Sequence, residues 1–236
     1  MRRFLASLRR DFVLQVRHKL VAVSLWVVVF FGGILSLVPE AMRPEPDVIV
    51  PAFVVVNFMV TTFYFNCGLV LFEKGEAVLS ALVTTPLRDW EYLLSKVLSL
   101  ILLACVETFG IVVLFFGVDV RWGLLLCGAL SLGGIYTLLG FVVIARYDSI
   151  NEFLMPSVLI TAALELPLLA HFDVMSRVPL LLHPVEPALT LMRAAYDPAA
   201  GGELVYGVVA TGLWLGISYW WARREFERFI VRAAGT

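Results

Sequence analysis

The chain has 236 residues, of which 61% are hydrophobic and 16% charged, a balance that excludes a water-soluble globular domain and marks an integral membrane protein. Its formal net charge of −1 identifies no partner class by itself, and no nucleic-acid partner is expected. The information lies in how the apolar and basic residues are distributed.

Residues 2–19 carry Phe4, Leu8, Phe12 and Val16 at successive i+4 steps, with Arg2, Arg3, Arg9, Arg10 and Arg17 around them. This pattern predicts an N-terminal amphipathic helix over 1–19, lying in the membrane interface against lipid headgroups. Six apolar runs follow, at 20–38, 48–72, 97–118, 122–145, 153–172 and 204–222. Each is near or above the ~20 residues that a helix needs to cross ~30 Å of hydrocarbon. The runs are continuous rather than alternating, so helices are expected, because in lipid every backbone group must be paired within its own segment. The fold class is therefore all-α integral membrane, one transmembrane domain over 1–236 with six transmembrane helices. The first run lacks a small-residue cleavage site and follows a stretch too long and amphipathic for a signal sequence, so it is expected to remain as a span.

All of the 18 Lys and Arg residues except Arg43, Arg121, Arg177 and Arg193 fall on one side if both termini are cytoplasmic. That is the positive-inside arrangement, and it predicts a multi-pass protein of the cell inner (cytoplasmic) membrane with both termini inside. Cys67, Cys105 and Cys127 lie within spans and read as buried small apolar residues, with neither a disulfide nor a metal site.

In the second span Asn57, Thr61, Tyr64 and Gly68 recur at i, i+4, i+7 and i+11. A polar and small stripe of this kind belongs inside the bundle, where it either lines a substrate route or bonds to a neighbouring helix. Residues 73–96 then form a charged, amphipathic island. Leu79, Leu82 and Val83 share one side of a short helix, with Glu76 and Ser80 elsewhere on it. Thr85 and Pro86 stop that helix, and a second helix begins near Arg88, with Trp90 and Tyr92 expected at the membrane interface.

Glu107 lies ten residues into the third span, about 15 Å deep, where a carboxylate costs roughly 2.5–3.5 kcal/mol. Ala104 and Gly110 give its face room for close helix contact. Glu165, in the fifth span, is a similar case. Pro167, two positions on, removes the partner of the Ala163 carbonyl and invites a kink at the carboxylate. The alternatives for both acids are a structural hydrogen bond or a polar point on a translocation path. The external segment 173–203 contains Pro179, Pro184, Pro187 and Pro198, and short helices resting at the outer interface are expected there. His171 and His183 are isolated, which argues against a metal.

No G-x-x-x-x-G-K-[ST] occurs in the sequence, so ATP phosphates cannot be cradled in the P-loop manner. H-E-x-x-H and G-x-S-x-G are also absent, and the aspartates read as scattered among loops. These gaps argue against a membrane metalloprotease or lipid synthase. The two halves do not echo one another, as those of many secondary transporters do.

Glu73, Lys74, Gly75, Leu79, Leu82, Val83, Thr85, Pro86 and Glu91 answer the pattern of a particular cytoplasmic loop: an acid–base–glycine start, a leucine pair, Thr-Pro, then an acidic or Trp re-entry. The stretch resembles the first cytoplasmic loop of ABC transporter permeases of the second type, closest to the fluoroquinolone and multidrug export branch. Where that family has Gly-Thr after its charged pair, Glu76 and Ala77 follow Gly75 here, and the leucines come slightly late. The resemblance implies a permease subunit that exports a hydrophobic or amphipathic solute. It further implies a coupling helix at 73–96, a separate ABC ATPase subunit that holds ATP and Mg, a second permease copy or a related permease, and no cofactor or enzymatic site in this chain. Asn57, Thr61, Tyr64, Glu107 and Glu165 are the candidates for the translocation path. The alternatives are a haem-exporter-type permease, or a membrane enzyme or scaffold that uses Glu107 and Glu165.

Overall fold

The computed structural model describes residues 2–39, 45–75, 88–197 and 200–234. Among them every regular element is helical: α1 (Arg2–Arg17), α2 (Leu20–Leu37), α3 (Pro46–Phe58), a π-helical stretch (Met59–Tyr64), α4 (Phe65–Gly75), α5 (Asp89–Phe115), α6 (Trp122–Ile144), α7 (Ile150–Leu164), α8 (Pro167–His171), a 3₁₀ turn (Val178–Leu180), α9 (Glu186–Arg193) and α10 (Gly201–Ala234). Six helical units are long and apolar enough to span a bilayer: α2, the continuous Pro46–Gly75 unit, α5, α6, α7 with α8, and α10.

The amphipathic N-terminal segment and the first span meet at a sharp corner. Lys19, at φ 60°, takes the left-handed conformation there, which costs a non-glycine residue roughly 1–2 kcal/mol. Beyond the corner, α1 presents two faces. Leu5, Phe12, Val13 and Val16 are exposed, while Asp11 and Gln15 are buried against the bundle. The apolar face left open suits a bilayer interface.

Helix α6 is the centre of the bundle, in contact with α5, α9, α10 and the second span, and it is the most buried of the spans. Its glycines make this possible. A Cβ on Gly133 would lie 2.6 Å from Ile101 Cγ1, and one on Gly128 would lie 2.8 Å from the Ala188 carbonyl oxygen. Small residues of this kind let helix backbones approach within a membrane. By contrast α2 buries only Ser24 and Gly32, and it packs on the outside of α5.

Several sequence expectations change in detail. The external segment does contain short helices, but α9 does not rest on the surface. Ala188, Leu189, Leu191 and Met192 are fully buried, and α9 is wedged among α6, α10 and α3, where Gly128 and Gly207 make room for it. Its own polar face is closed by ion pairs: the Glu186 carboxylate, fully buried, accepts from Arg177 Nε and from Arg193 at 2.8 Å, while Arg177 also reaches Glu203 at 2.7 Å and Thr190 at 2.6 Å. The three cysteines are free, and Cys127 is exposed on α6 rather than buried. The expected kink in the fifth span takes the form of a break, with α7 ending at Leu164 and α8 beginning at Pro167. The Ala163 carbonyl that Pro167 cannot serve accepts a hydrogen bond from His183 Nε2 at 3.0 Å. Because His183 Nδ1 accepts from the Val185 N–H at 3.3 Å, the proton on the neutral ring belongs on Nε2. Burial pushes the His183 pKa down, against the backbone hydrogen bond.

Candidate functional site

The first cluster sits where the second and third spans leave the bundle beside α1. Position 73 at the end of α4, positions 92, 95 and 96 in the first two turns of α5, and positions 7, 10 and 11 on one face of α1 converge there. Glu73 is 3% exposed and Lys96 1%. Lys96 Nζ lies 2.7 Å from Glu73 Oε1 and 2.8 Å from Asp11 Oδ1. Tyr92 donates to Glu73 Oε2 at 2.6 Å, Ser95 donates to Asp11 Oδ2 at 2.6 Å, and Ser7 and Ser95 are 2.9 Å apart. Arg10, partly exposed, adds a longer contact to Glu73 at 3.4 Å. Two acids thus meet two bases. Burial pushes the Asp11 carboxyl up, while Lys96 and Ser95 pull it down and the Glu73 charge raises it. Such a group of buried charges holds only while every partner is present. It is also anchored behind: the Tyr92 ring stacks on Phe226 of α10, with centroids 5.0 Å apart.

Lys74, the next residue, points the other way. Its ammonium donates to the Tyr147 carbonyl at 2.9 Å and pairs with Asp148 at 2.5 Å in the connection between α6 and α7. That hydrogen bond and charge hold the exposed Asp148 carboxyl below the usual range. At the other root of the loop, Glu91 accepts from the Arg88 N–H at 3.0 Å and caps α5. Of the expected coupling residues, Glu73, Lys74 and Gly75 therefore complete α4, whereas Glu76, Leu79, Leu82, Val83, Thr85 and Pro86 lie outside the described residues. Two expectations are corrected here. Tyr92 is not an interfacial aromatic but a buried donor, because Glu73, distant in sequence, needs its hydroxyl; Trp90 does stay exposed. Asp11 belongs to a helix rather than a loop, on the polar stripe Ser7–Asp11–Gln15, which turns away from the exposed Leu5, Phe12, Val13 and Val16.

The second cluster lies mid-bundle. Glu107 is 1% exposed, and its Oε2 accepts from Thr61 at 2.9 Å; one residue on, Thr108 accepts from Asn57 Nδ2 at 3.1 Å. Ser24 of α2 lies within hydrogen-bonding influence of the carboxyl, although neither Ser24 Oγ nor Glu107 Oε1, both buried, closes a well-aligned hydrogen bond. Tyr64 departs from this face and meets Thr161 of α7 at 3.2 Å. The stripe Asn57–Thr61–Tyr64 is split because Met59–Tyr64 is wound as a π-helix, whose wider turn rotates the later residues of the span; such bulges recur at functional sites. Glu165 stands at the α7–α8 break, half-buried, and shares no partner with Glu107.

Directly beside Asn57 opens a cavity of about 420 Å³ between α2, the second span, α5 and α8. Its wall is apolar, with Phe31, Phe53, Phe116 and Phe172 around it and Asn57 as the one amide in its lining. Size and lining fit a small, largely apolar solute. Nothing in the sequence pattern located it, since four separate segments supply the wall. No group of three or more His, Cys, Asp and Glu able to hold a metal occurs among the described residues.

Residues 2–234 match the fluoroquinolones export permease protein family. Two curated relatives, both fluoroquinolones export permease proteins from strains of Mycobacterium tuberculosis, are each 28% identical over 243 residues, an alignment that covers 100% of this chain and 99% of the relative.

Proposed function

This chain belongs to the fluoroquinolones export permease protein family, and on that premise we propose that it is the permease subunit of an ABC exporter for a hydrophobic or amphipathic solute. A multi-pass export permease is the family's character; the energy source, cargo class and assembly are our reading. ATP would be hydrolysed on a separate ATPase subunit, for the chain has no P-loop of its own. Two copies of the permease, or this one and a related permease, would pair in the cytoplasmic membrane with both termini inside.

The observation that carries this reading is the construction of the loop roots. Glu73 and Lys74 tie the end of α4 to α1, α5 and the α6–α7 connection through buried or bridging ion pairs. A loop mounted in this way can pass a push from a docked subunit to three parts of the bundle at once. Leu79 and Leu82 would supply the apolar anchors of a helix seated in the ATPase groove.

Replacing Leu79 and Leu82 together by Asp would place unpaired charge in that groove at a cost of several kcal/mol. The partner ATPase should then no longer co-purify in detergent, while the permease itself still inserts. Undiminished co-purification with intact export would remove the loop from its coupling role.

A further inference from the structure

We infer that the aromatic cavity and the Glu107 cluster are the two halves of one binding site, and that the solute it takes is an amphipathic ammonium: an aromatic or apolar body with a single hydrogen-bond-donating cationic head. This deepens the export reading, on which it rests only in calling the occupant cargo.

The halves adjoin by construction. Asn57 lines the cavity and also bonds Thr108. Val27 and Ile111 are likewise in the cavity wall; they stand three residues after Ser24 and four after Glu107, as Asn57 stands four before Thr61. The polar groups therefore form the next helical turn below the wall on each of the three helices.

The chemistry of the head follows from what that turn lacks. The neighbours of Glu107 are the neutral Ser24, Thr61 and Asn57, and no described Lys or Arg makes an ion pair with it. One carboxyl oxygen accepts from Thr61; the other, Oε1, is buried against the Ser24 hydroxyl without a well-aligned hydrogen bond, and no positive charge among the described residues balances the group. Buried polar atoms are nearly always paired, and an intramembrane carboxylate without a countercharge is among the costliest arrangements in a bilayer. An ammonium head supplies what is missing: N–H donors for Oε1 and for Ser24 Oγ, and the positive charge. A neutral alcohol supplies one hydrogen bond and no charge. A quaternary ammonium supplies charge and no donor. The aromatic wall suits the rest of such a molecule.

The test uses the full-length permease in lipid nanodiscs and three probes that share one body: 2-(1-naphthyl)ethylammonium, its trimethylammonium counterpart and the corresponding alcohol. Binding is followed by naphthalene fluorescence, with empty nanodiscs as the partition control. The ammonium should bind about tenfold or more tightly than the alcohol, as charge-assisted hydrogen bonds do, with the trimethylammonium between them. Glu107→Gln should remove that preference while leaving alcohol binding in place, and Glu165→Gln should leave the preference intact. Phe53→Ala should weaken all three probes alike. Equal affinity for ammonium and alcohol, a preference that survives Glu107→Gln, or failure of all three to bind would each overturn the proposal. The comparison of the three probes on the unaltered protein decides it even if the Glu107 variant does not fold. Failure here leaves ATPase co-purification and export unaffected, so it is separable from failure of the export reading.

Discussion

Replacing Lys96 by Met keeps the length and apolar stem of the side chain and removes one charge. Among the described residues Lys96 Nζ is the only group in contact with both buried carboxylates, at 2.7 Å from Glu73 and 2.8 Å from Asp11. Without it, Glu73 keeps Tyr92 and a 3.4 Å contact with Arg10, and Asp11 keeps only Ser95. Removing one partner of a buried pair costs about 3–5 kcal/mol, most of it the penalty of the charge left behind. The loss should appear as a lower Tm in detergent and as earlier proteolysis at α1, which this cluster ties to α5.

The pH dependence is a sharper check than the size of the loss. The Asp11 pKa is already raised in the fold by burial, with Lys96 opposing. A raised carboxyl pKa means that the folded state binds more protons than the unfolded one between the two pKa values. Its stabilising contribution is therefore full below the ordinary value of 3.8 and is lost as pH rises through the folded value. Deleting Lys96 removes the opposing charge and moves the upper edge of that window further up. The Tm gap between wild type and Lys96→Met should accordingly narrow from pH 8 to pH 5.5. In the triple variant Asp11→Asn, Glu73→Gln, Lys96→Met, most of the stability should return, because no charge is stranded. A variant as stable as wild type, or a gap that widens in acid, would refute the assignment of this cluster as a buried charge balance.

Other outcomes are expected elsewhere in the bundle. Gly128→Ala puts a Cβ 2.6 Å from Met192 Cγ and 2.8 Å from the Ala188 carbonyl oxygen, so displacement of α9 should cost about 1–3 kcal/mol in thermal stability. His183, neutral and with its pKa pushed down, favours the fold above the ordinary value near 6.5. That contribution should fade as pH falls below 6.5 through the folded value, and a Tm titration of His183→Gln should lack this acid step. Glu186→Gln leaves Arg177 and Arg193 facing each other without their shared carboxylate; a loss near 3 kcal/mol in denaturant titration is expected. Cysteines placed at Ser80 and Ala233 in a cysteine-free background should react with an impermeant maleimide only after the cells are opened. Labelling of intact cells would reverse the orientation.

The spans were readable because lipid imposes a simple demand, about twenty apolar residues with the backbone paired inside each, and that demand leaves its mark in one dimension. The identity of the polar residues was readable for the same reason: Asn57, Thr61 and Glu107 are conspicuous in an apolar run. Their grouping was not. Asn57, Thr61 and Tyr64 fit one α-helical face on paper, and only the π-helical turn over Met59–Tyr64 sends Tyr64 to Thr161 and the other two to α5. The placement of α9 was hidden for a different reason. Glu186 and Arg193 look like surface charges in a short, proline-bounded segment. Glu186 becomes interior, and Arg193 largely covered, once Gly128 and Gly207 remove the side chains that would have kept the helix out. Burial here depends on a gap in another helix, and no local pattern records it.

Helix α5 joins the two clusters, and its sequence suits it to carry force between them. Tyr92, Ser95 and Lys96 hold its first turns to the loop roots, Glu107 and Thr108 meet the polar face of the second span, and Ile111 and Val112 line the cavity. From Lys96 to Glu107 is eleven residues, about 16 Å along the axis. No proline or π-turn interrupts Asp89–Phe115, whereas the second span carries Pro51 and a π-stretch and the fifth carries Pro156 and a break. A continuous helix moves as a rod, while interrupted ones yield at their weak points. Displacement at the loop should therefore reach Glu107 through α5 with little loss, and the second and fifth spans should absorb it by bending. A proline placed at Leu102, on the exposed face of α5 midway between the clusters, tests this. ATP hydrolysis by the assembled complex should persist while solute no longer stimulates it. Stimulation that survives the kink would mean that the two clusters communicate by another route.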